Sequence, residues 1–157
     1  MANSSDKSAK LLLVSSSGGH LKHLTETASA WENYERVWVS FKQPDVQAAL
    51  KNERVHWAYY PTTRNIKNAI RNFFLALKVI PQEKPQVVVS AGAGVAVPFF
   101  VAAKLFRVKT MYIECYDRPT LPTMTGKMLY ILADSFNVQN EEQQKNFPDS
   151  TILHPIF

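Results

Sequence analysis

Several residues and motifs on which common protein functions depend are scarce or absent in this chain of 157 residues. Its single cysteine, Cys115, excludes an internal disulfide and a cysteine-built metal site, and it fits a reducing cytoplasm. The four histidines lack the HExxH spacing of zinc enzymes, so the sequence assigns no metal and no cofactor. There is no GxxxxGK[ST] motif, which excludes a P-loop ATPase, and the first glycine loop has no GxGxxG, which makes a dinucleotide enzyme a poor candidate.

Long apolar runs are also missing. No stretch reaches the roughly 18 uncharged apolar residues of a membrane span, and the polar first ten residues lack the apolar region of a signal peptide. We therefore expect a soluble or peripheral protein, with a flexible segment at 1–9 and one domain at 10–157. The net charge of +5 indicates an anionic partner, which could be nucleic acid, a phosphorylated ligand or an acidic membrane surface.

Short apolar runs alternate with longer amphipathic segments along the chain. Runs rich in Val, Ile and Leu predict strands that are buried on both faces, as in a parallel sheet covered by helices. The alternation predicts an α/β, doubly wound, mainly parallel sheet of Rossmann-like type. The predicted strands are KLLLVS, RVWVSF, VHWAYY, PQVVVS, VKTMYIE, DSFNVQ and STILH, and helices are predicted at 21–31, 45–52, 64–80, 95–106 and after Pro122.

In such folds ligands bind beyond the carboxyl ends of the strands, so the strand-to-helix loops are the candidate sites. In the first, SSSGGH, Gly18 and Gly19 allow positive φ angles and close approach of a ligand to the backbone. A helix starting near His20 would offer free N–H groups to a phosphate. The alternative interpretation is a tight turn with a serine cap and a half-exposed histidine.

Two further loops carry unusual residues. Gly92 and Gly94 in SAGAGVAVP either contact a ligand or allow close helix–sheet packing. Glu114 ends the fifth strand and could act as a general base, while Arg118 and Lys127 could hold phosphate. Alternatively, a Glu114–Arg118 ion pair braces the loop. Cys115 is interpreted as a small space filler.

Six short motifs follow one another in order and spacing, and together they resemble the asparagine-linked glycosylation protein 14-like family. The motifs cover about residues 10–153 and comprise SGGH (Ser17–His20), SAGAG with Pro98, Ile113–Glu114 with Arg118, TGK (Thr125–Lys127) with Tyr130, Ala133–Asp134 and Val138–Gln139. Bacterial members of this family are accessory subunits of capsule and exopolysaccharide glucuronosyl- or galactosyltransferases. The chain departs from many members at Asn140, where they have Trp.

The resemblance implies that this chain is one of the two halves of an enzyme. The family is similar to the N-terminal, acceptor-binding domain of a GT-B peptidoglycan glycosyltransferase, so residues 10–157 would form an acceptor-binding domain. A separate nucleotide-sugar-binding subunit would complete the enzyme, which would be inactive without it, and a UDP-sugar would be the donor. The acceptor would be a polyprenyl-diphosphate-linked saccharide in polysaccharide biosynthesis.

The resemblance also assigns roles to residues. Glu114 is the favoured base, and His20 would contact the diphosphate or the acceptor hydroxyl. The expected acceptor- and diphosphate-binding residues are Ser17, Gly18, Gly19, Gly92, Gly94, Arg118, Thr125, Gly126 and Lys127.

The helix predicted at 64–80 carries two stripes at about 100° per residue. An apolar stripe of Ile66, Ile70, Phe73, Leu77 and Ile80 is expected to pack inward. The neighbouring basic stripe of Arg64, Lys67, Arg71 and Lys78 is either a solvated face or a contact with anionic lipid headgroups. The second interpretation predicts a cytoplasmic protein, peripheral on the inner face of the cell membrane.

Two other function classes fit parts of the sequence. A non-catalytic scaffold could recruit a glycosyltransferase to the membrane, and it would tolerate loss of Glu114 and His20. A nucleotide- or RNA-binding module would fit the basic charge, but the chain lacks an RNP aromatic pair, so no nucleic-acid partner is expected.

Overall fold

One seven-stranded parallel sheet organises the molecule, in which the computed structural model describes residues 9–115 and 120–153. The strand order is β3-β2-β1-β4-β5-β6-β7, and each neighbouring pair is parallel. This confirms the predicted Rossmann-like, doubly wound sheet. The strands are β1 (Lys10–Val14), β2 (Glu35–Phe41), β3 (Val55–Ala58), β4 (Val87–Ser90), β5 (Lys109–Ile113), β6 (Ser135–Val138) and β7 (Thr151–Ile152).

Helices cover both faces of the sheet. Apolar residues of α1 and α3 pack on one face, and those of α4, α5 and α6 form a layer on the other. Within that layer α5 contacts both α4 and α6. The helices are α1 (Gly19–Glu26), α2 (Ala28–Trp31), α3 (Pro44–Ala49), α4 (Ile66–Glu83), α5 (Ala96–Leu105), α6 (Met124–Leu132) and α7 (Glu141–Asn146).

Two helices differ from the prediction. The single helix expected at 21–31 is divided at Thr27, whose hydroxyl bonds back to the carbonyl oxygens of His23 and Leu24. Helix α7 was not predicted. Its N-cap is Asn140, whose side chain accepts a hydrogen bond from Gln143 N.

Only part of the predicted apolar stripe of α4 faces inward: Ile80 is buried, and Phe73 and Leu77 pack against the core. Ile66 is 78% exposed and Ile70 is 53% exposed, so the prediction that they pack inward is wrong. The buried face instead begins with Asn68 and Asn72 and continues through Ala76, Val79, Ile80 and Glu83.

Hydrogen bonds explain why two asparagines are buried there. Asn72 accepts from the backbone N–H of Tyr59 and donates to its carbonyl oxygen, and Asn68 donates to the carbonyl oxygen of Pro61. The amides thus satisfy the backbone polar groups of the β3–α4 connection. Because these hydrogen bonds need Asn68 and Asn72 to face the β3–α4 connection, the helix is oriented with Ile66 and Ile70 outward.

The outward face of α4 is therefore both basic and apolar. Lys67, Arg71 and Lys78 are exposed, as is Phe74 at 65%. Arg64 is exposed too, but it precedes the helix, with φ 52°, and does not belong to the α4 stripe. Among the described residues, no helix combines the length and apolarity needed to cross a bilayer.

Candidate functional site

The predicted glycine loops meet where the strand order reverses. Strands β1 and β4 are neighbours in the sheet but not in sequence, and their chains leave toward opposite faces. Such a switch point opens a crevice at the carboxyl edge of an α/β sheet. The loops after β1 and β4 border this crevice, and the end of β5 lies beside it.

The crevice contains a cleft with two adjoining lobes. One lobe, of about 260 Å³, extends past Ser16 and Ser17 toward Thr62. The other, of about 290 Å³, extends toward Cys115, Thr123, Met124 and Thr125. The residues common to both lobes are His20, Thr63, Ala93 and Gly94.

His20 lies at the junction of the two lobes. Its Nδ1 is 3.1 Å from the carbonyl oxygen of Ala91. A carbonyl oxygen only accepts hydrogen bonds, so this contact places the proton of the neutral ring on Nδ1. Nε2 is then the ring atom with a free lone pair. The first loop and the loop after β4 together hold a neutral histidine that accepts protons at Nε2.

The first loop leaves the start of α1 open. Gly18 has φ 74° and precedes the helix, and no side chain in the described part of the chain caps it, so the serine cap considered from the sequence is absent. Gly18 and Gly19 are exposed, whereas Ser17 is half-buried and lines the cleft. The first backbone N–H groups of α1 and the positive end of its dipole therefore remain available to an anion.

The loop after β4 is held in an unusual backbone conformation. Gly92 has φ 124° and Ala93 has φ 76°, and the Ser90 hydroxyl bonds to both the N–H and the carbonyl oxygen of Gly92. A Cβ on Gly92 would come within 2.5 Å of the His20 ring. Gly92 therefore makes room for His20, whereas Gly94 lines the cleft itself.

Glu114 lies beneath the cleft. It is 1% exposed, and its carboxylate accepts hydrogen bonds from Cys115 N at 2.9 Å and from the Thr123 hydroxyl at 3.0 Å. The Tyr112 hydroxyl is 3.3 Å away, and burial first, then the Glu114 charge, raises the pKa of this tyrosine. In this arrangement the acid joins β5 to the start of α6.

Thr123 and Gly126 complete that connection. Thr123 caps α6 by accepting a hydrogen bond from Gly126 N at 2.8 Å. A Cβ on Gly126 would overlap the Glu114 carboxylate, so only glycine fits there. The carboxylate thus lies at the N-terminus of α6, where the helix dipole favours negative charge.

The predicted binding residues are only partly brought together. Ser17, His20, Gly94 and Thr125 line the cleft; Gly92, Glu114 and Gly126 lie behind its wall; and Lys127 is exposed on α6 without lining the cleft. Arg118 lies outside the described residues. Cys115, interpreted from the sequence as a space filler, is buried but borders the cleft, with its sulfur 3.6 Å from His20 Nδ1.

Sequence reasoning missed the threonines of the cleft. Thr62 and Thr63 come from the β3–α4 connection, and Thr123 from the start of α6. One signal was available for Thr123, because threonine immediately before a helical segment is a common N-cap. No comparable pattern marks Thr62 and Thr63, which the buried asparagines of α4 help to position.

Comparison with known proteins identifies the family. A family model described as "Oligosaccharide biosynthesis protein Alg14 like" matches residues 11–156. The chain belongs to the Alg14-like family. The UDP-N-acetylglucosamine transferase subunit ALG14 of Homo sapiens is 25% identical over 181 residues, covering 96% of this chain and 84% of the relative. The Rattus norvegicus protein of the same name is 24% identical with the same coverage.

Solved structures support the fold of this Alg14-like protein. Acinetobacter baumannii MurG matches with a TM-score of 0.70 and 16% identity over 85% of this chain and 42% of its own. Neisseria meningitidis UDP-GlcNAc 2-epimerase, solved with UDP-GlcNAc, matches with a TM-score of 0.70 and 12% identity over 92% of this chain and 45% of its own. The chain thus spans less than half the length of these two proteins. Family and fold together make it a glycosyltransferase-associated subunit of oligosaccharide biosynthesis.

Proposed function

We propose that this Alg14-like chain is the acceptor-binding subunit of a two-component glycosyltransferase. A separate subunit binds a UDP-sugar, and the complex transfers the sugar to a polyprenyl-diphosphate-linked saccharide during capsule or exopolysaccharide synthesis. The chain itself forms one Rossmann-like unit, which corresponds to less than half of the MurG chain whose fold it shares. The partner would supply the facing wall of the catalytic cleft.

The observation that carries this proposal is the cleft at the switch point. An uncapped helix N-terminus and a histidine with a fixed tautomer lie beside each other there. The helix N-terminus suits the diphosphate of the acceptor, because its N–H groups and dipole attract phosphate oxygens. The histidine suits the hydroxyl that must lose a proton as the glycosidic bond forms.

The geometry favours His20 over Glu114 as the base. In the transfer, the acceptor hydroxyl oxygen bonds to the anomeric carbon, UDP leaves with the electrons of the broken bond, and the hydroxyl proton goes to a base. His20 lines both lobes of the cleft with Nε2 free to accept, whereas the buried Glu114 carboxylate already accepts hydrogen bonds from neighbouring groups. We assign Glu114 as a positioning residue that holds the end of β5 against α6.

We also propose that the protein is peripheral on the cytoplasmic face of the cell membrane. The outward face of α4 places Ile66, Ile70 and Phe74 beside Lys67, Arg71 and Lys78, as described above. An amphipathic helix with exposed apolar and cationic side chains inserts its apolar groups at the lipid interface and attracts anionic headgroups.

Reconstitution tests the proposed function. The chain is co-expressed with a candidate nucleotide-sugar-binding subunit, and the purified complex is supplied with a panel of radiolabelled UDP-sugars and polyprenyl-diphosphate saccharides. We expect transfer by the complex and none by either subunit alone. Turnover by the isolated chain, or by the partner alone at the rate of the complex, would contradict the two-component assignment.

A further inference from the structure

Helix α6 exposes an apolar stripe that the candidate site does not account for. Met124 is 69% exposed, Met128 is 49% exposed and Ile131 is 85% exposed. Residues three and four apart lie on one face of a helix, so these three side chains form a continuous row. The opposite face of α6 is buried through Gly126 and Leu129. The helix therefore packs normally and still presents a second apolar face outward.

This stripe is continuous with the cleft. Met124 belongs to both, because it lines the lobe that also contains His20 and Thr125. From Met124 the row runs away from the cleft to Ile131, a distance of about 10 Å at 1.5 Å per residue. The exposed residues of α4 have no such connection, since Ile66, Ile70 and Phe74 do not line either lobe.

The charges around the stripe fit a ligand with an anionic head. Helix α6 contains no acidic residue, and Lys127 is exposed in the same turn as Met124 and Met128. The cleft at one end has the open N-terminus of α1, which attracts phosphate. An occupant with a phosphate group next to a long apolar chain would satisfy both the cleft and the stripe.

We propose that α6 binds the first isoprene units of the acceptor lipid, along the row Met124, Met128 and Ile131, while the diphosphate lies in the cleft. This rests on the proposed function and adds to it the path of the lipid chain. The stripe makes chain length a determinant of acceptor use. A saccharide diphosphate on a short chain would fill the cleft but not the stripe.

Photolabelling of the full chain tests the path directly. The probe is a long-chain polyprenyl diphosphate with a diazirine in its first isoprene units, presented in detergent micelles, and the labelled peptides are mapped by mass spectrometry. We expect label on Met124–Ile131, suppressed by excess polyprenyl diphosphate without the diazirine. Label confined to α4, or spread over all apolar surfaces without competition, would overturn the proposal.

A variant series gives a second, independent readout in the complex with its partner. The double variant Met128→Gln and Ile131→Gln should lower kcat/KM for the long-chain acceptor about tenfold relative to a short-chain acceptor with the same saccharide diphosphate. Leu105→Gln on α5 is the matched control, because Leu105 is 64% exposed and lies in the same helical layer without lining the cleft. The control should leave the ratio of the two kcat/KM values unchanged.

The outcomes separate this inference from the proposed function. Equal loss on both acceptors in the double variant, or loss of complex formation, would show that the stripe serves the partner or the fold and would overturn the lipid path. Wild-type complex that uses neither acceptor would refute the proposed function, and the lipid path with it.

Discussion

At the scale of single residues, three glycines have requirements that differ sharply. Gly92 has a positive φ and must leave room for the His20 ring, and Gly126 must leave room for the Glu114 carboxylate. Gly19 has neither constraint, because an added Cβ would meet nothing within 4 Å. The sequence shows all three as similar loop glycines, and only the fold separates those that serve packing from the one that is open to a ligand.

These differences predict that replacing glycine with alanine has different effects on stability at Gly92 and at Gly19. Gly92→Ala should lower the free energy of unfolding by more than about 1 kcal/mol, because it combines backbone strain with an overlap at His20. Gly19→Ala should leave stability unchanged or slightly higher, since alanine is a better helix former than glycine. Thermal denaturation of both variants measures this. Equal stability of the two would contradict the packing role of Gly92.

His20 and Glu114 give a second prediction at this scale. In the reconstituted complex, His20→Gln should lower kcat by about 100- to 10,000-fold, the usual contribution of a general base. The variant should fold normally, because glutamine keeps a polar side chain in the cleft. If His20→Gln affects KM alone, the histidine is an acceptor contact and the base lies elsewhere.

Glu114→Gln provides the comparison. A buried carboxylate that positions the β5–α6 connection should mainly affect stability, by about 1–3 kcal/mol, because its hydrogen bonds to Cys115 N and Thr123 are altered. Thr123→Ser, which keeps the hydroxyl, is the conservative control and should be mild. A stable Glu114→Gln variant whose kcat falls as far as that of His20→Gln would restore Glu114 as the base.

At the scale of elements, the sequence predicted the strands and the glycine loops but misjudged α4. The strand segments are short, rich in Val, Ile and Leu, and bounded by polar or turn-forming residues, so the local sequence pattern indicates them. The orientation of α4 depends on Asn68 and Asn72, which bond to the backbone of Tyr59 and Pro61 in the connection that precedes the helix. Hydrophobic periodicity carries no information about such hydrogen bonds, and it therefore placed Ile66 and Ile70 inside.

The burial of Glu114 could not be predicted for a similar reason. Its environment is built by Thr123 and Gly126, which approach it only after α6 has packed on β5. By contrast, the approach of His20 to the loop after β4 follows from the doubly wound topology, which the strand pattern indicates. The position of the candidate cleft was therefore predictable, whereas the burial of Glu114 behind it was not.

The exposed face of α4 predicts which residues bind the protein to a membrane. Charge reversal of Lys67, Arg71 and Lys78 to Glu should abolish sedimentation with anionic vesicles, and Ile70→Ser with Phe74→Ser should weaken it at any salt concentration. High salt should weaken binding of the native chain, since exposed charges are screened within about 8 Å at physiological ionic strength. Arg64→Glu is the control outside the stripe and should have a smaller effect. Unchanged sedimentation of both multiple variants would rule out this face.

At the scale of the whole molecule, a buried acid connects helix α4 to the sheet at the edge opposite the cleft. Glu83, at the end of α4, is 4% exposed and contacts His56 at 2.7 Å, Arg54 at 2.7 Å and Lys10 at 3.1 Å. These partners belong to the starts of β1 and β3 and to the residue before β3. The cluster links the C-terminal end of α4 to β1 and β3, the strands on either side of β2. The N-terminal end of α4 follows Thr62 and Thr63, which line the cleft, so the cluster helps to fix a helix that borders the candidate site.

This cluster predicts how stability depends on pH. Burial pushes the pKa of Glu83 upward, but hydrogen bonds from His56, Lys10 and Arg54 outweigh it and hold the pKa below its ordinary value of 4.5. A folded-state pKa below the unfolded one means that the carboxylate stabilises the fold above that ordinary value and loses this effect as the pH falls through the folded-state pKa.

Glu83→Gln should therefore lower the free energy of unfolding by about 3 kcal/mol near pH 7, and this difference should shrink as the pH falls below the ordinary value of 4.5. Glu35→Gln is the matched control, because Glu35 also pairs with Lys10 but its side chain is 62% exposed, and it should cost less than about 1 kcal/mol. Urea denaturation of the three proteins across this pH range decides the matter: a stability difference for Glu83→Gln that is independent of pH would mean that packing, and not the charge of the acid, holds α4 against the sheet.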